Sequence, residues 1–119
     1  WYLLGSARLP VGLRQLLETA PAACWLSPIS IWEVGILVAR GRLRLDRPLA
    51  AWVAQAQQQC PFHDARLTHA VAVRSHLLTL PQRDPADHFL AATTLVYDLT
   101  LLTVDARLTQ AAWLPTRSA

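Results

Sequence analysis

Lysine is absent from this chain and carboxylates are scarce. The 119 residues carry eight acidic side chains and eleven cationic ones, all of them arginine, for a formal net charge of +3. An arginine guanidinium presents a planar fork of donors that matches phosphate geometry. The net positive charge, supplied entirely by arginine, is therefore compatible with nucleic-acid binding. A genome rich in arginine codons explains the absence of lysine equally well.

Cysteine is also rare, and several familiar motifs are missing. Cys24 and Cys60 stand 36 positions apart with no paired spacing, which indicates a reduced, cytoplasmic protein. The four histidines lack zinc-ligand spacing, and there is no nucleophile elbow, P-loop or dinucleotide fingerprint. The apolar stretch 88–104 contains Asp98 and changes period, so it predicts a helix and a strand rather than a membrane span.

Methionine does not occur at all, even at position 1. The chain opens at Trp1, inside what looks like the end of an apolar element, and we expect an N-terminal piece to be absent. What remains shows no signal peptide. With 53% hydrophobic and 16% charged residues, the chain predicts one globular domain over 1–119 that buries a core.

Apolar periodicity predicts alternating helices and strands. Helices are expected at 9–20, 28–40, 46–59, 69–78, 86–97 and 106–112, with short buried strands at 23–26 and 99–103. The stretch 61–67 is expected to be extended, and 114–119 shows only weak signals. Such alternation is typical of an α/β fold with a parallel sheet, whose ligand chemistry lies at the carboxyl ends of the strands.

Three acids fall where such a fold would hold a ligand. Glu33 follows a Ser-Pro helix start, Asp87 lies where the helix 86–97 begins, and Asp105 closes an apolar strand. Carboxylate oxygens are the usual protein ligands of Mg²⁺. Acids that converge on one sheet edge would therefore make a site for a divalent cation.

Each acid also has a purely structural interpretation. Glu33 and Asp87 could complement a helix dipole, and Asp105 could cap the helix that starts at Ala106. Asp84 precedes Pro85 and is expected mainly to cap its helix or to support a neighbouring ligand. The apolar neighbours of Glu33 favour a functional reason, because partial burial makes an uncompensated carboxylate costly.

Four ordered blocks carry a family resemblance. They are Ser27-Pro-Ile-Ser-Ile-Trp-Glu-Val34, Arg40-Gly-Arg-Leu43, Arg83-Asp-Pro-Ala-Asp-His88 and Leu101-Leu-Thr-Val-Asp105. Together they resemble a PIN-domain protein of the VapC toxin type over essentially the whole chain. The resemblance implies a three-layer α/β/α nuclease that cleaves RNA with Mg²⁺ or Mn²⁺, as the toxin of a toxin–antitoxin pair. It also implies that Glu33, Asp87 and Asp105 are catalytic metal ligands, with Asp84 as an auxiliary.

The chain departs from that pattern at its start. The family opens with a central apolar strand that carries an aspartate, and residues 1–5 resemble the segment just after it. We therefore expect a PIN-like domain that is truncated at the N-terminus and lacks its first strand. If so, a degenerate PIN module that binds a partner protein without cleaving RNA is the alternative function.

Other residues suggest how RNA and partners would bind. Arg83, beside the acids, is the best single candidate for a phosphate contact, and Arg42 and Arg44 belong to the densest basic run, which could equally be a solvated rim. Thr103 could bond the attacking water or a carboxylate, or be satisfied by backbone. The resemblance also implies an antitoxin over the acidic cleft, and the apolar fraction suggests a homodimer in which tryptophans serve as core or interface anchors.

Overall fold

The computed structural model describes residues 2–4, 24–59, 61–81, 83–103 and 105–117. The helix predicted at 9–20 and Cys60 lie outside these ranges. The described elements, in chain order, are β1 (Tyr2–Leu4), β2 (Cys24–Leu26), α1 (Pro28–Ala39), α2 (Leu49–Gln59), β3 (His63–Asp64), α3 (His69–His76), α4 (Pro85–Val96), β4 (Thr100–Leu102), α5 (Ala106–Thr109) and β5 (Thr116–Arg117).

Local signals in the sequence set the limits of α1. The Ser27 side chain accepts a hydrogen bond from the backbone N–H of Ile29 at 3.1 Å, and proline follows at the first helical position. Gly41 ends the helix with φ of 69°, a left-handed conformation that glycine adopts without a Cβ penalty. Its N–H bonds the Val38 carbonyl, and the Arg42 N–H bonds the Leu37 carbonyl, the pairing of a Schellman motif.

Five parallel strands form one sheet in the order β3-β2-β1-β4-β5. The chain leaves β1 toward β2 and β3 on one side, and returns to β4 and β5 on the other. The order thus reverses between β1 and β4, a topological switch point of the kind where α/β folds bind ligands.

The first described strand corrects our expectation for the N-terminal segment. We expected residues 1–5 to follow the central strand and the neighbouring strands to lack ladder partners. Instead, Tyr2–Leu4 is itself the central strand, with Leu3 opposite Trp25 on β2 and Leu101 on β4. Because successive strand residues point to opposite faces, Leu3 and Leu4 each enter a different core, and both are fully buried.

Helices cover both faces of the sheet, so the predicted three-layer α/β/α architecture is confirmed. On one face Leu4, Leu26 and Leu102 pack with Val34 of α1 and Ala56 of α2. The core on the other face is built from β1, β4, α4, α5 and the segments that flank them; its buried members are Leu3, Ala65, Leu90, Ala91, Leu99, Leu101, Leu108 and Leu114. In the described ranges, no helix has both the length and the apolar character needed to cross a membrane.

The chain end differs in detail from the sequence prediction. The last helix, expected over 106–112, ends at Thr109, and the weak region beyond it contributes β5 at the sheet edge. Only two residues pair there, Thr116 with Leu101 and Arg117 with Leu102. So short a strand is not visible in hydrophobic periodicity, which needs four residues or more.

Candidate metal centre

Glu33 reaches the carboxyl edge of the sheet from α1. This helix is anchored there because the buried Ser30 hydroxyl donates to the Leu4 carbonyl at 2.9 Å, where β1 ends. Glu33 is the sixth helical residue and half-buried, between the exposed Trp32 and the fully buried Val34. It lies beyond the first turn, where the helix dipole acts most strongly, so the dipole interpretation loses support.

Asp84 and Asp87 come from the start of α4. Asp84 is the N-cap residue, and its Oδ1 accepts a hydrogen bond from the Ala86 N–H at 3.0 Å, so the predicted capping role is present. Asp87 lies in the first helical turn and is only 7% exposed. Burial of a carboxylate is costly unless nearby charges or donors compensate, which favours a role for Asp87 beyond local helix stability.

These three acids converge. Glu33, Asp84 and Asp87 each offer a carboxylate oxygen, and the three oxygens lie within 4.8 Å of one another. Ligands on opposite sides of a Mg²⁺ ion would be about 4.2 Å apart, given Mg–O distances of about 2.1 Å. Small side-chain rotations would therefore let the three oxygens hold one ion, and an all-carboxylate donor set suits Mg²⁺ or Mn²⁺.

Asp105 lies next to the group formed by Glu33, Asp84 and Asp87, and its carboxylate is hydrogen-bonded by Arg107. It is the N-cap of α5, and its Oδ1 accepts from the Arg107 backbone N–H at 2.9 Å. The Arg107 guanidinium also donates to both carboxylate oxygens, from Nε at 3.2 Å and from Nη2 at 2.9 Å. The same Nη2 lies 3.8 Å from Asp87 Oδ2. Arg107 therefore links the predicted ligand Asp105 to the acidic group.

The ion pair changes the titration of both partners. The hydrogen bonds from Arg107 lower the pKa of the Asp105 carboxyl, against a smaller opposing effect of burial. The pKa of Arg107 is raised, first by its bonds to Asp105 and then by the charges of Asp87 and Asp84. Both groups stay charged at neutral pH, and Arg107 interacts electrostatically with Asp87 and Asp84 as well as with its direct partner Asp105.

Thr103 acts on the same turn. Its Oγ1 accepts a hydrogen bond from the Asp105 N–H at 3.1 Å, and its own N–H bonds the Arg117 carbonyl at 3.0 Å. The side chain thus fixes the backbone that presents Asp105. A backbone partner for Thr103 was one of the two alternatives that the sequence left open.

The arginines proposed to bind RNA lie in two places. Arg83 is exposed just before Asp84 and lines a shallow groove of about 270 Å³ together with His76, His88 and Phe89. A second region, the loop after α1, carries Arg42 and Arg44, both exposed. In the same loop Arg47 is engaged by Asp46, with nitrogen–oxygen distances of 3.0 and 3.1 Å.

Sequence reasoning missed Arg107. Residues two apart do not face each other on a regular helix, so the spacing of Asp105 and Arg107 gave no signal. The pair forms because Asp105 has an extended backbone, with ψ of 113°, and its side chain folds over the helix start. An N-cap acid followed by arginine at the second helical position is the pattern that would have indicated it.

Comparisons with known proteins agree with this architecture. Residues 1–114 match the family model described as PIN domain. The chain belongs to the PIN-domain family. No curated protein matches the sequence.

Two solved structures share the fold at low sequence identity. The structure of FitAB bound to an IR36 DNA fragment superposes with a TM-score of 0.65 at 16% identity, over 99% of this chain and 94% of the other. VapBC2 from Rickettsia felis, bound to a DNA fragment from their promoter, gives a TM-score of 0.67 at 12% identity, over 99% and 98%. The predicted resemblance is thus confirmed at the level of family and fold.

Proposed function

We propose that this chain is a metal-dependent endoribonuclease and the toxin of a type II toxin–antitoxin pair. One observation carries the proposal. In a PIN fold, Glu33, Asp84 and Asp87 bring carboxylate oxygens within 4.8 Å of one another, next to the switch point of the sheet. Acids from two helices far apart in sequence meet there, which local helix stability alone does not require.

Glu33, Asp87 and Asp105 are the proposed catalytic ligands, with Asp84 as an auxiliary. The half-buried Glu33 and the buried Asp87 would hold a Mg²⁺ or Mn²⁺ ion, with Asp84 near enough to contribute. When bound, such an ion supplies Lewis acidity toward a phosphodiester and lowers the pKa of bound water. Asp105 adjoins these three acids through Arg107, and we call the four acids together the acidic cleft. Thr103 fixes the backbone that presents Asp105.

The chain's own cations would position the RNA. Arg83 lies one residue before Asp84 and is exposed, so a phosphate next to the acidic group is within its reach. Arg42 and Arg44 project from the loop after α1 and would attract the RNA backbone over a longer range. Salt weakens such contacts strongly, because counterions compete for each phosphate.

An antitoxin protein and a second copy of the chain are the proposed partners. The two solved structures that share this fold are those of FitAB and VapBC2, each bound to a DNA fragment. In the described part of the chain several large apolar side chains are exposed and would be available to a protein partner; they are Trp32, Leu67, Val73, Leu77, Val96 and Trp113. Among the described tryptophans, Trp25 and Trp52 pack against the cores, whereas Trp32 and Trp113 are exposed.

The alternative is a non-catalytic PIN module that binds a partner protein. It is favoured by the central strand, since Tyr2–Leu4 carries no acid where the resemblance implies an aspartate. It is also favoured by the tight binding of Asp105 to Arg107.

RNA cleavage under controlled metal conditions separates the two functions. Purified protein would be incubated with a labelled RNA library in buffer that contains Mg²⁺, Mn²⁺ or EDTA. DNA of matching sequence would be tested in parallel as a second substrate. The nuclease proposal predicts RNA cleavage with either metal and none in EDTA. Full activity in EDTA would refute the metal mechanism, and no cleavage under any condition would favour the non-catalytic module.

A further inference from the structure

We propose that Arg107 is a built-in counter-ion of the acidic cleft, which holds Asp105 and Asp87 together when no divalent cation is bound and competes with that cation for them. The inference rests on the proposed function, since it concerns the same site. It adds a residue of this chain that controls how readily the site takes up metal.

The placement of the guanidinium is the first support. One nitrogen, Nη2, lies 2.9 Å from Asp105 Oδ2 and 3.8 Å from Asp87 Oδ2. Asp87 comes from α4 and Asp105 from the N-cap of α5, so Arg107 joins elements that the sequence separates. Asp105 and Asp87 would hold a divalent ion with carboxylate oxygens that this nitrogen now contacts, so the ion and the guanidinium would compete for them.

The electrostatics give the second support. Besides Asp105, the guanidinium faces Asp87, and Asp87 belongs with Asp84 and Glu33 to a group whose carboxylate oxygens lie within 4.8 Å of one another. The cation therefore sits in the summed field of the cleft rather than in a local pair alone. Carboxylates that close repel one another, and a positive charge between them relieves that repulsion.

A comparison within the chain shows what is special about this contact. Arg47 binds Asp46 with the same geometry, from Nε and Nη2 at 3.1 and 3.0 Å, but on the exposed loop after α1. Arg107 makes the same two-nitrogen contact and in addition faces Asp87, whose side chain is 10% exposed. Arg47→Gln is therefore a matched control, since it removes one charge and one such pair away from the acids.

The ion pair is open enough to be exchanged. The Arg107 side chain is 58% exposed, so it can swing into solvent without disturbing the core. Exposed pairs of this kind contribute little net stability. A divalent cation brings twice the charge and binds carboxylates directly, so it can displace the arginine. Uptake of the metal then releases the guanidinium at the mouth of the cleft.

Calorimetric titration with Mn²⁺ tests the competition. We expect Arg107→Gln to tighten Mn²⁺ binding by roughly tenfold, because a repelling charge and a competitor are both removed. Arg107→Lys keeps the charge and should stay within about twofold of wild type, as should Arg47→Gln. Equal affinity in Arg107→Gln and wild type would overturn the inference, and so would equal tightening in the lysine variant.

A measurement on the wild-type chain guards against a variant that does not fold. The Arg107 Nε–H resonance would be followed by NMR during titration with Mg²⁺, which is diamagnetic. Displacement predicts a shift of this signal and faster exchange with water, and an unchanged signal at saturation would overturn the inference. If the wild-type chain binds neither Mg²⁺ nor Mn²⁺, the proposed function itself fails, an outcome distinct from unchanged competition.

Discussion

The two sides of the acidic cleft are built by different means. Glu33, Asp84 and Asp87 come from α1 and α4, and only the folded sheet brings their oxygens within 4.8 Å. Asp105 is held by Arg107, two residues away, through contacts made within one short turn. The first side depends on tertiary structure and the second on local structure. The comparison suggests that the converging acids bind the cation and that the local pair sets how easily it enters.

Asp87→Asn should have the largest effect on RNA cleavage, because it removes one of the three acids that converge from α1 and α4. The amide keeps the shape of the buried side chain but removes a charge that a metal ion needs. We expect RNA cleavage to fall by at least about a hundredfold, because even the loss of a group that only supports a metal ligand costs roughly 10–100-fold. The measurement is the initial rate of cleavage in saturating Mn²⁺.

Asp98→Asn is the matched control for that substitution. Asp98 is exposed at the end of α4 with φ of 54°, a conformation that asparagine also adopts. Its cleavage rate should equal that of wild type. Retained activity in Asp87→Asn, with this control also active, would remove Asp87 from the site.

Two substitutions at Asp84 should separate its contribution to the site from its role as a helix cap. Asparagine caps a helix as well as aspartate does, so Asp84→Asn should keep stability and reduce cleavage less than Asp87→Asn. Alanine removes the bond to the Ala86 N–H, so Asp84→Ala should also lower the free energy of unfolding by about 1 kcal/mol. Urea denaturation and cleavage rates measure the two effects. Equal stability of the two variants would contradict the capping role.

The pH dependence of stability would test the local ion pair between Asp105 and Arg107. Because Arg107 holds the pKa of Asp105 low, the pair stabilises the folded chain above the usual carboxyl pKa of about 3.9. That stabilisation disappears as pH falls through the lowered pKa. The difference in Tm between wild type and Arg107→Gln, without metal, should therefore shrink from pH 7 toward pH 2. A difference that is constant with pH would contradict the ion pair.

The smallest expected effect concerns RNA binding outside the cleft. Replacing Arg42 and Arg44 by alanine should flatten the slope of log affinity against log salt by roughly 0.7 for each phosphate that is no longer neutralised. Arg74→Ala, an exposed charge on α3, serves as a control and should leave the slope unchanged. Binding would be followed by fluorescence anisotropy with the inactive Asp87→Asn chain. An unchanged slope in the double variant would identify these arginines as a solvated rim.

Most of the fold could be predicted because its signals are local. The Ser27-Pro28 start and the Gly41 end set α1, and Thr68 caps α3 as expected from the sequence. The central position of Tyr2–Leu4 was mispredicted, since three apolar residues reveal neither the strand that pairs with them nor where they sit in a sheet. Ladder partners are set by the whole sheet, and no local pattern contains them.

The site was predictable only in part for the same reason. Glu33 and Asp87 could be chosen because they flank apolar elements, and Asp84 because it precedes a proline. Their mutual distance follows from the packing of α1 against α4, which sequence spacing does not contain. Arg107 escaped prediction because its contact with Asp105 uses a cap geometry rather than a helical one.

Metal binding to the converging acids is the most direct test of the central claim. Calorimetry with Mn²⁺ would compare the wild-type chain with a Glu33→Gln, Asp87→Asn double variant whose folding is verified by circular dichroism. The account predicts saturable binding to wild type and none to the folded double variant. Equal binding by both chains, or no binding by wild type, would contradict the claim that Glu33 and Asp87 form a metal site.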